Sequence, residues 1–207
     1  MTKIMIMLSG RPCVGKTTFQ NKLVLELQKE NLISQIISMD EILEQLQIEF
    51  QKIGQQLSRN EIFDNHQQVV QERYLEKLHL AQENDASIVI LDRVNLALAK
   101  RQEVLNIFTG AVFLIHFTVT DEAVWRHSLW ERNKKECKQN HFITPETVEK
   151  LLGNYFKPSK EEGFKFIYRC RSFGDDGWEE QQNIVIESLL KRIANEMNRL
   201  GAPELVL

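Results

Sequence analysis

The first chemistry legible in the chain lies in Ser9-Gly10-Arg11-Pro12-Cys13-Val14-Gly15-Lys16-Thr17-Thr18. This is the pattern G-x-x-x-x-G-K-T. It follows the apolar run 4–8 and precedes a segment whose Phe19, Leu23 and Leu27 share one helical face, so a strand, a tight loop and a helix are expected. Glycines at both ends let the backbone fold back so that successive N–H groups point inward and cradle an anion. The helix that follows adds its positive end. Residues Gly10 to Thr18 are therefore expected to hold the phosphates of ATP, with GTP the alternative. Lys16 supplies a mobile cation for the outer phosphates and Thr17 a hydroxyl ligand for Mg²⁺. Cys13 reads as a small filler whose backbone makes the cradle.

Two carboxylates complete the chemistry. Asp40 follows the apolar run 35–39, and Asp92 closes the run 88–91. In a parallel sheet both would stand at the carboxyl edge beside the glycine loop. Asp40 suits a general base that orients an attacking hydroxyl and takes its proton, although an Asp there also suits a helix cap. Asp92 suits a ligand of Mg²⁺ or an anchor for substrate, with Arg93, Asn95 and Arg101 as further substrate contacts. Arg101 lies three residues beyond Leu98, close to a buried stripe, where an arginine needs a partner; a phosphate or Asp92 would serve. Farther along, Arg126, His127, Arg132, Asn133, Lys134, Lys135, Lys138 and His141 gather positive charge in a chain of net charge −3. A cation on a mobile helix can close over a transferring phosphoryl group, and Arg132 then Arg126 are the candidates; the lysines equally suit a solvated face. His116, inside a strand, reads as a core histidine.

The elements that must position these residues follow from periodicity. Apolar runs at 4–8, 35–39, 88–91, 112–119 and 164–170 alternate with helical stripes, among them Val70, Tyr74, Leu78 and Ala81. Strands apolar throughout require cover on both faces. The expected fold is an α/β three-layer sandwich around a five-stranded, mainly parallel sheet. It would be one domain over 1–207, with a helical insert at about 41–83 split near 54–60. A lid is expected at about 121–145, with a short turn around His141 to Pro145 and a second helix after it, and a terminal helix at about 178–200. Residues 172–178, rich in Gly and Asp, read as a plain loop. At 43% hydrophobic and 27% charged the composition is ample for a core, and the acidic balance argues against a protein that coats nucleic acid by bulk charge. Three scattered cysteines suit a reducing, cytoplasmic compartment. The longest apolar run, 111–119, is too short for a membrane span, and the apolar start at 4–8 runs straight into the glycine loop, so it is a strand and not a signal segment.

Several of these residues together resemble the polynucleotide-kinase-like branch of the P-loop kinases, especially small stand-alone phage and bacterial members. They are the loop from Gly10 to Thr18, Asp40, the run Asp92-Arg93-Val94-Asn95-Leu96 with Arg101, and Ile143-Thr144-Pro145-Glu146-Thr147-Val148. The segment Lys157-Pro158-Ser159-Lys160-Glu161-Glu162-Gly163-Phe164 completes the set, and the likeness spans roughly residues 3–170. The resemblance implies that Lys16 and Thr17 handle ATP and Mg²⁺, that Asp40 is the base and that Arg132 sits on the donor phosphates. It implies transfer to the 5′-hydroxyl of a nucleic acid or oligonucleotide. One departure is plain: an arginine one turn after the base, which grips the acceptor's phosphate in members acting on nucleic acid, is absent from Asp40-Glu41-Ile42-Leu43. Arg73, Arg93 or Arg101 is left to substitute. The alternatives are a kinase of a small metabolite, a tRNA-linked group or a protein, or a nucleotide-dependent switch with slow ATPase activity.

Overall fold

The computed structural model describes residues 3–84, 86–136 and 142–199. Its centre is a sheet in the order β2-β3-β1-β4-β5, with every neighbouring pair parallel. The strands are β1 (Ile4–Ser9), β2 (Ser34–Ser38), β3 (Ile88–Asp92), β4 (Ala111–Thr118) and β5 (Phe166–Arg171). Side chains alternate across a strand, so β1 sends Ile4, Ile6 and Leu8 to one face and Met5 and Met7 to the other. Each set joins a separate core. The first core is closed by α1 (Lys16–Lys29) and α8 (Trp178–Arg199). The second is closed by α2 (Met39–Lys52), α4 (Gln67–Glu83) and α5 (Leu98–Ile107). Apolar on both faces, β1 and β3 could exist only in such a three-layer arrangement, which is the expected fold.

Three boundaries differ from expectation. Helix α2 starts at Met39 with Ser38 at its N-cap, so β2 ends one residue early and Asp40 lies in the first helical turn. The insert breaks twice. After α2, Ser58 and Glu61 form a reciprocal capping box that starts α3 (Arg59–Asn65). A second break falls at His66, whose ring packs on Phe50 with centroids 4.7 Å apart before α4 begins. Finally, β5 starts at Phe166 because a single 3₁₀ turn and Gly163, at φ 107°, still redirect the chain just before it.

The charged region folds as α6 (Glu122–Glu136) and α7 (Pro145–Gly153), with Pro145 at the first turn of α7 and the Thr144 hydroxyl accepting from the Thr147 amide. Lys138 and His141 lie outside the described residues, whereas 142–145 of the expected turn are described. The Asn133 amide group spans that turn, donating to the Ile143 carbonyl at 2.8 Å and accepting from its N–H at 2.9 Å. Among the described residues, no helix is long and apolar enough to cross a membrane.

Candidate active site

The glycine loop sits at the carboxyl edge of the sheet, between β1 and α1. Its geometry shows why glycine is needed at two positions. A Cβ on Gly10 would stand 2.9 Å from that of Phe117, and Gly15 holds φ at 89° with Phe173 beside it. Cys13 also adopts a left-handed φ of 61°. The Gly10 N–H donates to the Val94 carbonyl, and the Phe173 N–H to the Val14 carbonyl, so the loop is pinned from both sides.

Lys16 is half-buried and folds over its own loop, donating to the carbonyls of Gly10 (3.2 Å) and Arg11 (2.8 Å). Burial lowers the pKa of its ammonium, an effect opposed by the charges of Asp92, Cys13 and Asp40 and reinforced by Arg132. These neighbours locate the site. Asp92 from the end of β3, Asp40 from the first turn of α2 and Arg132 from α6 all act electrostatically on Lys16 and lie about the loop. The Thr17 hydroxyl donates to Asp92 Oδ2 at 3.2 Å. A hydroxyl and a carboxylate side by side at the end of a phosphate cradle are the hard oxygen donors that Mg²⁺ takes alongside phosphate oxygens. Asp40 is exposed, and its carboxylate makes no hydrogen bond to any described residue, so it is not spent as a helix cap.

Burial pushes the Asp92 carboxyl up, against the pull of Lys16 and the Thr17 hydroxyl. A carboxyl whose pKa is raised by folding binds more protons in the native state than in the unfolded chain. Stability then falls as pH rises from the ordinary carboxyl value of 3.8 toward the raised native value, and the charge is a net burden at neutral pH. Asp92→Asn is therefore expected to raise the melting temperature of the nucleotide-free protein at pH 7, by about 2–4 °C for each kcal/mol relieved at this chain length. The further rise caused by Mg²⁺ with ATP should shrink. A thermal melt with and without Mg²⁺·ATP measures both, and a lower nucleotide-free melting point contradicts the argument.

Two of the expected substrate contacts have partners within the protein. Arg101 is wholly buried and gripped at both ends of its fork by Glu162, at 2.7 and 2.9 Å, while Nη1 donates to the Leu96 carbonyl at 2.7 Å and the Asn95 carbonyl at 3.2 Å. Asn95, buried at φ 47°, donates to the Leu8 carbonyl at 2.8 Å, and its own carbonyl accepts from the Ser9 hydroxyl. Both hold the edge of the sheet together through main-chain carbonyls. Arg126 is bound to Glu122 at 3.1 Å on the exposed side of α6, whereas Arg132 lines the cleft. Arg93 lies with its guanidinium 4.7 Å over the Tyr74 ring.

Two features were missed by sequence reasoning. Arg11, at the loop's apex, is bonded to Glu122 at 2.6 Å and stacks on Trp125, whose indole N–H donates to the Pro12 carbonyl at 2.8 Å. The base of α6 is thus fastened to the loop itself. A buried tryptophan in a strongly charged helix was the available signal. The segment read as a plain loop carries Phe173, which walls a cavity of about 360 Å³ opposite His127, Ser128, Glu131, Arg132 and Lys135 of α6. An aromatic residue just past the last parallel strand was its only hint. His116 is a satisfied core histidine, as expected: it is buried, Nδ1 lies 3.3 Å from the Ser9 hydroxyl and Nε2 3.3 Å from that of Tyr155, which stacks on the ring.

Burial, then the charges of Arg101 and Arg169, lowers the His116 pKa from 6.5 to about 4. Its native state binds fewer protons than the unfolded chain between those values. The stability that depends on neutral His116 is thus complete above pH 6.5 and is lost as pH falls toward 4, a swing of about 3 kcal/mol. Urea unfolding from pH 7 to 4 should show this slope, and His116→Gln should flatten it. An unchanged slope in the variant would assign the effect to other groups.

The parallel sheet, the loop between β1 and α1 and the helices over both faces define a P-loop α/β sandwich. Residues 5–158 match the model of the AAA domain family, three-quarters of the chain, and the protein belongs to that family. No curated protein sequence matches it significantly. Solved structures with a similar fold include Kti12 of Chaetomium thermophilum in complex with ADP-AlF3, at TM-score 0.61 and 19% identity over 92% of this chain and 99% of that one. A gluconokinase from Sinorhizobium meliloti 1021 gives 0.54 and 12% over 94% of both chains. A fungal RNA kinase gives 0.51 and 15% over 97% of this chain and 89% of that one. At these identities the likeness is one of fold.

Proposed function

We propose that the protein is an ATP-dependent phosphotransferase with an alcohol acceptor, and that the acceptor is the 5′-hydroxyl of a nucleic acid or oligonucleotide. The observation that carries this reading is the unbonded carboxylate of Asp40, standing within electrostatic reach of Lys16 and Asp92 at the mouth of the phosphate cradle. A nucleotide switch has no use for a base at that place. The acceptor oxygen attacks the γ-phosphorus in line, its proton passes to Asp40, and the bond to the β–γ bridging oxygen breaks to release ADP. Lys16 and Arg132 offset the charge that builds on the outer phosphates and the bridging oxygen. Mg²⁺, for which Thr17 and Asp92 are the fitting donors, would neutralise charge on the same phosphates.

A small-molecule alcohol is the second reading, and one feature favours it. The position one turn after Asp40 is Leu43, only 5% exposed and part of the core, and the next residue, Glu44, is paired with Arg59. No arginine can approach an acceptor from there. The test is transfer of labelled γ-phosphate from ATP with Mg²⁺ to short single-stranded RNA and DNA with 5′-hydroxyl ends, with Lys16→Ala as control. Label on the oligonucleotide, lost in the variant, supports the first reading. ATP binding without any labelled oligonucleotide transfers the case to small hydroxylated acceptors.

A further inference from the structure

The turn that follows β5, residues 172–175, lies between the glycine loop and the root of α6 and is bonded to both. On the loop side the Phe173 N–H donates to the Val14 carbonyl at 3.0 Å, and a Cβ on Gly15 would stand 3.1 Å from that of Phe173. On the helix side the carboxylate of Asp175, a residue only 3% exposed, accepts from the N–H of Thr120 at 3.1 Å and of Asp121 at 3.3 Å. A third bond, from the Ser172 N–H at 3.2 Å, closes the turn on itself. Asp121 in its turn starts α6, its own carboxylate accepting from the Ala123 and Val124 N–H groups at 2.8 and 3.1 Å. Gly174, at φ 85°, lies against the same helix, and a Cβ there would stand 2.7 Å from Val124 Cγ1.

A buried carboxylate that accepts three main-chain N–H groups is strongly held, because bonds to an ionised acceptor are about twice as strong as neutral ones. Asp175 has no place in the chemistry of transfer, and what its bonds fix is the start of the lid helix. Arg11 and Trp125 fasten that root to the apex of the glycine loop, so Asp175 supplies the second point of attachment, and two points set a helix's direction. Direction matters at the far end. Arg132 stands about three turns along α6, roughly 16 Å from the root at 1.5 Å per residue, so a tilt of about 4° moves it by about 1 Å. A misplacement of about 1 Å in a group that meets the reacting centre can cost about 10²-fold.

We propose that Asp175 is a positioning residue for phosphoryl transfer. By holding the Thr120 and Asp121 N–H groups it seats α6 on a turn that is itself bonded to the glycine loop, and so sets where Arg132 stands over the transferring group. The inference rests on the reading that Arg132 meets the outer phosphates of ATP.

The experiment is calorimetric titration with Mg²⁺·ADP, with and without aluminium fluoride, whose planar form stands for the phosphoryl group in transit and requires no acceptor. Wild type should bind ADP more tightly with the fluoride, and Arg132→Ala should reduce that advantage. Asp175→Asn offers one acceptor where two are used and turns an NH₂ toward a main-chain N–H. It should lower the advantage about tenfold or more. Its affinity for Mg²⁺·ADP alone should stay within about twofold of wild type, which certifies the fold. In the Arg132→Ala background it should cost nothing further, since both changes remove the same contact. An advantage untouched by Asp175→Asn, or losses that add in the double variant, overturns the proposal. If Asp175→Asn also loses ADP, Gly174→Ala decides, because it keeps the carboxylate and presses on α6 through Val124. A lowered advantage then upholds the seat, and an unchanged one overturns it. An advantage absent from wild type or insensitive to Arg132→Ala removes the reading of Arg132. The seat is then decided by hydrogen exchange at the Thr120 and Asp121 amides: faster exchange in Asp175→Asn keeps it, and unchanged exchange removes it.

Discussion

Asp40→Asn is expected to lower kcat for phosphoryl transfer by about 10²- to 10⁴-fold, the span that a positioned general base contributes, with the affinity for ATP nearly unchanged. The split between turnover and binding is the informative part. Asp40 is exposed and holds no hydrogen bond, so the amide replaces it without a packing cost or a broken cap. It lies in the first turn of α2, outside the loop that cradles the phosphates. An amide of the same shape still orients a hydroxyl but takes no proton. Lys16→Ala, by contrast, should weaken both ATP binding and transfer, because its ammonium belongs to the phosphates throughout. Steady-state rates with the best acceptor, beside titration of an ATP analogue, separate the two. A kcat for Asp40→Asn within about threefold of wild type would remove the base from the mechanism, since no general-base contribution is that small. The proton would then leave through solvent or the γ-phosphate itself.

The second large effect concerns stability. Arg101→Met is expected to cost about 3–5 kcal/mol, the usual result of removing one member of a buried pair and stranding the other. Arg101 is fully buried, and the Glu162 side chain is 5% exposed. Without the guanidinium, Glu162 keeps its bond from the Ser159 amide at 2.9 Å, but the carbonyls of Asn95 and Leu96 lose a shared donor. At about 2–4 °C for each kcal/mol, the melting point should fall by about 10 °C. Arg101→Lys should rescue little, because one ammonium cannot serve both carboxylate oxygens and two carbonyls. Adding Glu162→Leu to Arg101→Met should return a large part of the loss, since a neutral apolar pair leaves no charge uncompensated. Thermal and urea unfolding of the three variants measure this. A loss under about 1 kcal/mol in the single variant would mean that water reaches Glu162, and that the pair does not hold the edge of the sheet as the geometry implies.

That pair also shows where reading the chain alone runs out. Arg101 was conspicuous because a charged residue interrupted a buried stripe, and a ligand was the natural explanation. Its partner lies 61 residues away, in a segment whose own pattern shows no need for an arginine. The same limit hid the fastening of Arg11 and Pro12 to Glu122 and Trp125, and the approach of Phe173 to the glycine loop. Each is a contact between residues far apart in the chain, and no periodicity records it.

Local rules did determine a great deal. A strand apolar at every position must be covered on both faces, so residues 4–8 and 88–91 announced the parallel, three-layer sheet, and the spacing of Phe19, Leu23 and Leu27 announced the helix behind the loop. The loop itself is a backbone feature: two glycines, a lysine and a threonine at fixed separation close the phosphate cradle whatever surrounds them. The placement of Asp40 and Asp92 at one edge followed from parallel strands alone. What only the tertiary structure decided was the order of the strands and the fate of each charge. Whether an arginine meets a carboxylate, a ring or nothing depends on which distant segments pack beside it. Arg101 found Glu162, Arg73 found Glu49, and Arg93 found Tyr74.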